Sequence, residues 1–278
     1  MPPELFPLAG LLLAVGALAG LTAGLFGIGG GAVMVPALFF ALDALGYGSA
    51  MHVAVATSAA VIVFNGIRSA RHHARRGAVD GDILSVRRPW QSWAVGIALG
   101  SFLGALFLAP LLSGDELTLL FALVAVLVAV QLIVGRPDFT LRDSVPFGAA
   151  ALPGGAGIGA LSALMGIGGG SLTVPLMLLC KVDTHRAVGT AAAIGVIIAV
   201  PATLGYLISG VGAEGRPPGS VGYVSLPGFA LVAGTALLTV PLGVRLAHRL
   251  PADRLRRWFG VLLLLVVANM ARKAIGAT

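Results

Sequence analysis

The chain has 278 residues, 58% of them hydrophobic and only 10% charged, with 40 glycines and a formal net charge of +7. That balance leaves too little polar surface for a water-soluble enzyme. The positive charge comes in short clusters between apolar runs, with no basic helix or aromatic-interleaved patch, which argues against a nucleic-acid partner and for a membrane-orientation signal. Cys180 is the single cysteine, so neither an internal disulfide nor a cysteine-rich metal site is expected, and no cofactor is implied.

A bilayer core needs about 20 apolar residues of helix to cross it. Runs near that length, bounded by charges, Gly and Pro, predict ten segments: Leu5 to Phe26, Ala32 to Leu45, Ser49 to Arg71, Trp90 to Leu112, Glu116 to Val134, Ser144 to Met165, Ser171 to Cys180, His185 to Ser209, Leu226 to Leu246 and Leu255 to Met270. The first has no basic n-region and no obvious cleavage pattern, so it is expected to be a membrane helix and not a leader. The second and seventh are short for a span. If both are re-entrant, eight full crossings remain. The expected fold is an all-α, polytopic membrane protein.

The two short segments occupy corresponding places in an internal repeat. Gly24 to Pro36 (GLFGIGGGAVMVP) matches Ala163 to Pro175 (ALMGIGGGSLTVP) at an offset of 139, and His52 to Ser58 (HVAVATS) matches His185 to Ala191 (HRAVGTA) at an offset of 133. Two blocks recurring in order divide the chain into repeats over 1–139 and 140–278. Lys and Arg accumulate on cytoplasmic loops. Ten crossings place fifteen of the 18 basic residues on one side, in loops around 72–88, 135–143 and 247–257 that are expected to be cytoplasmic. The first half then begins outside and the second inside, giving inverted repeats of about five segments each, a transporter signature.

Each glycine block interrupts an apolar stretch. In lipid the backbone groups freed by such a break must be satisfied by protein or by a water-filled cavity, so the breaks belong in the interior. Glycine lets a ligand approach the backbone, and the N–H groups opening the next helix form a positive end suited to an anion. Candidate anion contacts are therefore Gly29, Gly30 and Gly31 in the first half, and Gly168, Gly169, Gly170 and Ser171 in the second. Close helix packing is the competing use of the glycines. Thr57, Ser58 and Thr190 carry hydroxyls that can donate to an oxyanion or back-bond to their own helix. Asn65 is the only amide in its segment and needs an interior partner. His52 and His185 occupy matched segment starts and are candidates for gating or for proton coupling. Pro36 and Pro175, also matched, are candidate helix breaks or hinges. Arg68 belongs first to the orientation signal. The acids mark segment ends, which leaves no obvious buried carboxylate to carry a proton or cage sodium, and no metal site is expected.

The twice-repeated G-x-G-G-G-x-x-x-V-P block, followed by the AVATS and AVGTA stretches, resembles the sulfite exporter TauE/SafE family over essentially the whole chain. The resemblance implies an inner-membrane transporter, not an enzyme, that moves sulfite, organosulfonates or other small sulfur-containing anions, with both glycine regions forming a central site. Small carboxylates are an alternative cargo, and a passive anion channel is an alternative mode. Proton or counter-ion coupling and a homodimer stay open, and membrane lipid is the expected surroundings. Repetition is imperfect at Ser58 against Ala191 and Ala32 against Ser171, so the site should be asymmetric.

Overall fold

The computed structural model describes residues 5–26, 30–75, 77–85, 91–134, 150–247 and 252–276. It is helical almost throughout. In chain order the helices are α1 (Leu5–Phe26), α2 (Gly31–Ala44), α3 (Ala50–Arg75), α4 (Trp93–Leu103), α5 (Gly114–Val134), α6 (Ala151–Met165), α7 (Gly170–Leu179), α8 (Thr184–Ser209), α9 (Leu226–Ala247) and α10 (Ala252–Ala274). A two-residue hairpin, β1 (Ser220–Val221) and β2 (Val224–Ser225), precedes α9. Helix α4 does not end cleanly. It continues as a π turn over Gly104–Leu108 and a 3₁₀ turn over Ala109–Leu111, ahead of Ser113 and α5.

The helix starts follow local chemistry. The Ser92 hydroxyl accepts from the Val95 N–H and caps α4. Before α5, the Ser113 N–H donates to Glu116 at 2.7 Å while the Glu116 N–H donates to the Ser113 hydroxyl at 3.2 Å, a reciprocal capping box with acid at the positive helix end. Among the described residues five helices are long and apolar enough to cross a membrane, spanning Ala50–Arg75, Trp93–Leu111, Gly114–Val134, Arg186–Ser209 and Leu226–Gly243. Helices α2 and α7 are shorter apolar helices of 14 and 10 residues.

Burial divides these helices into a centre and a rim. Helix α3 is enclosed along its N-terminal and middle turns, from Ala50 through Ile62, and packs on α8. The rim turns large apolar side chains outward, Leu123, Leu127 and Val134 on α5 and Leu238 on α9 among them. In water such a face would drive association, whereas hydrocarbon covers it.

Glycines set how closely the rim approaches the centre. Gly16 and Gly20 of α1 lie on the backbone of α9, where an added Cβ would stand 2.6 Å from the Val232 carbonyl oxygen and 2.7 Å from the Ala236 Cα. Gly96 and Gly100 of α4, and Gly104 at the start of the π turn that continues it, lie in turn against Leu152, Ala156 and Ala160 of α6. Both pairs therefore run parallel, and both are small-residue contacts of the kind that lets membrane helices touch backbone to backbone. Helix α5 packs on α10, α2 on α3 and α7 on α8.

The charged ends sort onto two faces. Lys273 at the end of α10 pairs with Asp43 at the end of α2 on one face. On that face also, Ser49 donates to the Glu214 carbonyl. On the other, Arg186 at the start of α8 pairs with Asp80 at 3.0 Å.

Candidate functional site

The two glycine segments meet at the middle of α3. Gly30 adopts the left-handed conformation (φ 77°) and its carbonyl accepts from the N–H groups of Val33 and Met34, opening α2. Gly166 ends α6 in the same left-handed region (φ 57°), its N–H donating to the Ala163 carbonyl. A side chain is excluded at both positions twice over, by φ and by space, because a Cβ would stand 2.6 Å from the Ala19 carbonyl oxygen at Gly30 and 2.7 Å from that of Val55 at Gly166. Gly31 lies directly on the second segment, where a Cβ would overlap the Gly166 carbonyl and approach the Ile167 Cα. The Ser58 hydroxyl fixes the junction by donating to the Gly166 carbonyl at 2.8 Å. Gly169 faces α8, with Ile194 and the Gly195 nitrogen against it.

Beside this junction is a small, partly open cavity with room for about one water molecule, lined by Ala59 and Ile62 of α3, Ser162 of α6, the Gly166–Gly168 turn, and Ile198 and Ala202 of α8. Three buried polar side chains in this region have no hydrogen-bond partner: Ser162, Ser171 and Asn65, the last through both its oxygen and its nitrogen. Ser171 is in the first turn of α7 and Asn65 lies one turn along α3 from Ile62. Native proteins leave few such groups unsatisfied, each costing about 1–3 kcal/mol.

The remaining candidates are placed as follows. Thr57 and Thr190 are fully buried, and each accepts a backbone N–H from the opposite half. Thr57 takes that of Ser225 at 3.0 Å, and Thr190 takes that of Asp80 at 2.8 Å. Neither is the back-bond that membrane hydroxyls usually make. Around Thr57, His52 stacks on Tyr223 with ring centroids 5.1 Å apart. His52 Nε2 lies 3.0 Å from the Ala109 carbonyl and 3.1 Å from that of Leu112. Two acceptors require a donor, so Nε2 carries a hydrogen and holds the irregular end of α4. Around Thr190, Gly189 lies on the Ala78 backbone and Arg186 pairs with Asp80. These two clusters lie toward opposite ends of the α3 and α8 pair.

Pro36 and Pro175 each sit six residues into their short helix, and the helix runs on through both. Their contribution is the missing N–H, which withholds the intrahelical bond from the Ala32 and Ser171 carbonyls. Arg68 is exposed. Gly29 and the side chain of His185 lie outside the described residues. Among the described residues no three His, Cys, Asp or Glu side chains converge as metal ligands.

Sequence reasoning missed Ser162, Asp80, Ser225 and Tyr206, whose hydroxyl donates to the Ala163 carbonyl at 3.1 Å. Ser162 carried a readable signal. At the offset of 139 it faces Ala23, a polar-for-apolar departure from repetition just ahead of the glycine block, like Ser171 against Ala32 just after it. The others are tertiary partners with no local mark.

Comparison with known proteins agrees with this architecture. A "Probable membrane transporter protein" of Haemophilus influenzae is 32% identical over 267 residues, covering 95% of this chain and 98% of the relative. One of Methanocaldococcus jannaschii is 26% identical over 259 residues, covering 91% of each, and one of Xylella fastidiosa is 30% identical over 188 residues, covering 63% of this chain and 65% of the relative. No solved structure matches. The family model for the sulfite exporter TauE/SafE matches residues 12–270, and the chain belongs to that family.

Proposed function

We propose that the chain is a secondary transporter of small sulfur-containing anions, sulfite or organosulfonates, which it holds between the two glycine segments and releases to either side by alternating access. The observation that carries this reading is the junction of Gly31 with Gly166 at mid-helix, with a cavity beside it lined by the second segment. Irregular backbone at membrane depth belongs where it lines such a space, and discontinuous helices in two halves are how many transporters build a midplane site.

Support for two inverted halves comes from the packing itself. Exchanging α1–α5 for α6–α10 turns the α1 and α9 pair into α6 and α4, turns α2 and α3 into α7 and α8, and returns the α3–α8 and α5–α10 pairs to themselves. The same exchange carries the Thr57 hook to Ser225 into the Thr190 hook to Asp80. Each hook closes one face, so breaking one while keeping the other opens the cavity to one side only. With the basic loops cytoplasmic, the Thr190 cluster is the inner gate of an inner-membrane protein and the Thr57 cluster the outer one.

Counterflow in proteoliposomes tests the reading. Sulfite loaded on the far side accelerates uptake of labelled sulfite through a carrier, and Gly30→Leu or Gly169→Leu abolishes uptake in protein that still purifies as a folded monodisperse species. Uptake indifferent to trans sulfite indicates an open anion channel. Acceleration by acetate but not by sulfite or methanesulfonate makes small carboxylates the cargo. Unimpaired uptake in either glycine variant overturns the proposed site.

A further inference from the structure

The anion site has one working side. Taking the glycine junction as the substrate site, we infer that the second segment makes the polar contacts, through Ser162 and Ser171, and that it accepts compact, singly charged oxyanions while rejecting doubly charged ones.

Three observations carry this. First, the two serines bracket one loop, Ser162 in the last turn of α6 and Ser171 in the first turn of α7. Both hydroxyls are buried, at 2% and 5% exposure, and neither has a partner. Ser162 also opens onto the cavity, which the intervening Gly166 and Gly168 line. A serine on a membrane helix ordinarily back-bonds to its own turn, as Thr173 does to the Gly169 carbonyl at 2.5 Å. Two hydroxyls left unpaired on either side of one ten-residue helix start are donors awaiting an acceptor.

Second, the first segment lacks this equipment. At the offset of 139 the positions of Ser162 and Ser171 are held by Ala23 and Ala32. Its Gly30 and Gly31 are used up in contact with Ala19 and with the second segment. On this reading the first segment is the floor on which the second is assembled.

Third, the described lining is neutral. The side chains named around the cavity are alanine, isoleucine and serine, and the further polar groups beside it, the Ser58 hydroxyl on the Gly166 carbonyl and the unpartnered Asn65 amide, are neutral as well. An α-helix start offers roughly half an elementary charge. Hydroxyls and a helix end can compensate one negative charge. The cost of removing an ion from water rises with the square of its charge, so a second charge in this mostly apolar space goes unbalanced. Hydrogensulfite or a small sulfonate fits that balance, and sulfate does not.

The test is calorimetric binding to the purified full chain with three probes: sulfite, methanesulfonate, which is a fixed monoanion, and sulfate, which is a fixed dianion near neutral pH. Expected are binding of methanesulfonate independent of pH between 6 and 8, binding of sulfite that tightens as the pH falls and the monoanion accumulates, and no binding of sulfate. Ser162→Ala and Ser171→Ala each weaken methanesulfonate binding by about tenfold or more, the loss of one hydrogen bond to a charged group, and Ser→Thr at either place restores part of it. The ligand-free melting temperature of both alanine variants stays level or rises, because no native bond is removed; a structural role for either hydroxyl would lower it. Alanine variants that bind like the parent, while Gly169→Leu does not bind, overturn the serine assignment and leave the glycine site standing. Sulfate binding as tightly as methanesulfonate overturns the charge selection. No binding of any probe by the parent chain removes the site reading and this inference together.

Discussion

Replacing Thr57 or Thr190 by valine keeps side-chain shape and deletes one acceptor, so the two variants should unlatch opposite faces of the protein. Thr57 is wholly buried, as is the hydrogen bond it accepts from the Ser225 N–H. Removing that acceptor strands a buried donor at about 1–3 kcal/mol, or about five- to 150-fold in the equilibrium between closed and open at that face. At Thr190 the Asp80 N–H is only part-buried, and water can replace the lost acceptor, so the shift there should fall at the lower end. The assay places a single cysteine at Ala59, which lines the cavity and is 3% exposed, in a Cys180→Ala background reconstituted into vesicles. An impermeant thiol reagent is then applied to one side at a time. Thr57→Val should speed labelling from the face carrying residues 210–225 and Thr190→Val from the face carrying residues 77–85, the first by the larger factor. If both variants speed labelling from the same side, or neither changes it, the hooks are not gates and their symmetry is only a matter of packing.

Two further outcomes separate packing from mechanism. Gly100→Leu drives a side chain into α6, where a Cβ would already lie 2.6 Å from the Ala156 Cα; overpacking of this kind costs about 1–3 kcal/mol. Its melting temperature should fall clearly, while Gly157→Leu, with nothing within 4 Å of its Cβ, should leave it unchanged; equal melting temperatures would contradict the close contact of α4 with α6. His52→Leu removes the imidazole donor from the Ala109 and Leu112 carbonyls, leaving Ala109 with the Leu112 N–H alone, and should lower both stability and transport, whereas His52→Gln keeps an N–H and should recover most of each. A glutamine variant as impaired as leucine, but only when transport is driven by a pH gradient, would instead make the imidazole a proton carrier.

Much of this architecture is legible before any coordinates. Apolar runs bounded by charge place Leu5–Phe26, Gly114–Val134 and Leu226–Ala247 within two residues of their ends, because hydrocarbon imposes length and polarity on each span separately. The short helices after the glycine blocks are legible for the same reason. The end of α4 is not. Its π and 3₁₀ turns are held by His52 from another helix, and although Pro110 marks a break near the end of the run, nothing local specifies the π turn that precedes it. The hairpin before α9 is two residues per strand, too short for any periodicity to register.

At the site, the glycine blocks stand out by repetition, and the conformations at Gly30 and Gly166 follow from glycine being the residue that tolerates them. The hydroxyls divide differently. Ser58 and the two threonines are marked by their place in the second repeated block, but what they bond is decided across 108 to 168 residues of chain. Gly16 and Gly20 match Gly155 and Gly159 at the same offset of 139 as the glycine blocks. They were readable as a third repeated element, and pass unnoticed because spaced glycines are common in membrane helices.

The partner list of the helices has a consequence for how the chain is made. Helices α1, α4 and α5 pack chiefly on α9, α6 and α10, all of which are synthesised later. A ribosome that has delivered only the first half leaves the small-residue face of α4 and its π turn, Gly96 to Gly104, turned to lipid with nothing to grip. Thr57 likewise waits for Ser225. Packing therefore lags synthesis in this protein: α4 finds its partner once α6 is made, α1 only once α9 is, and α5 only once α10 is. A stop codon late in the reading frame should thus be as damaging as an early one.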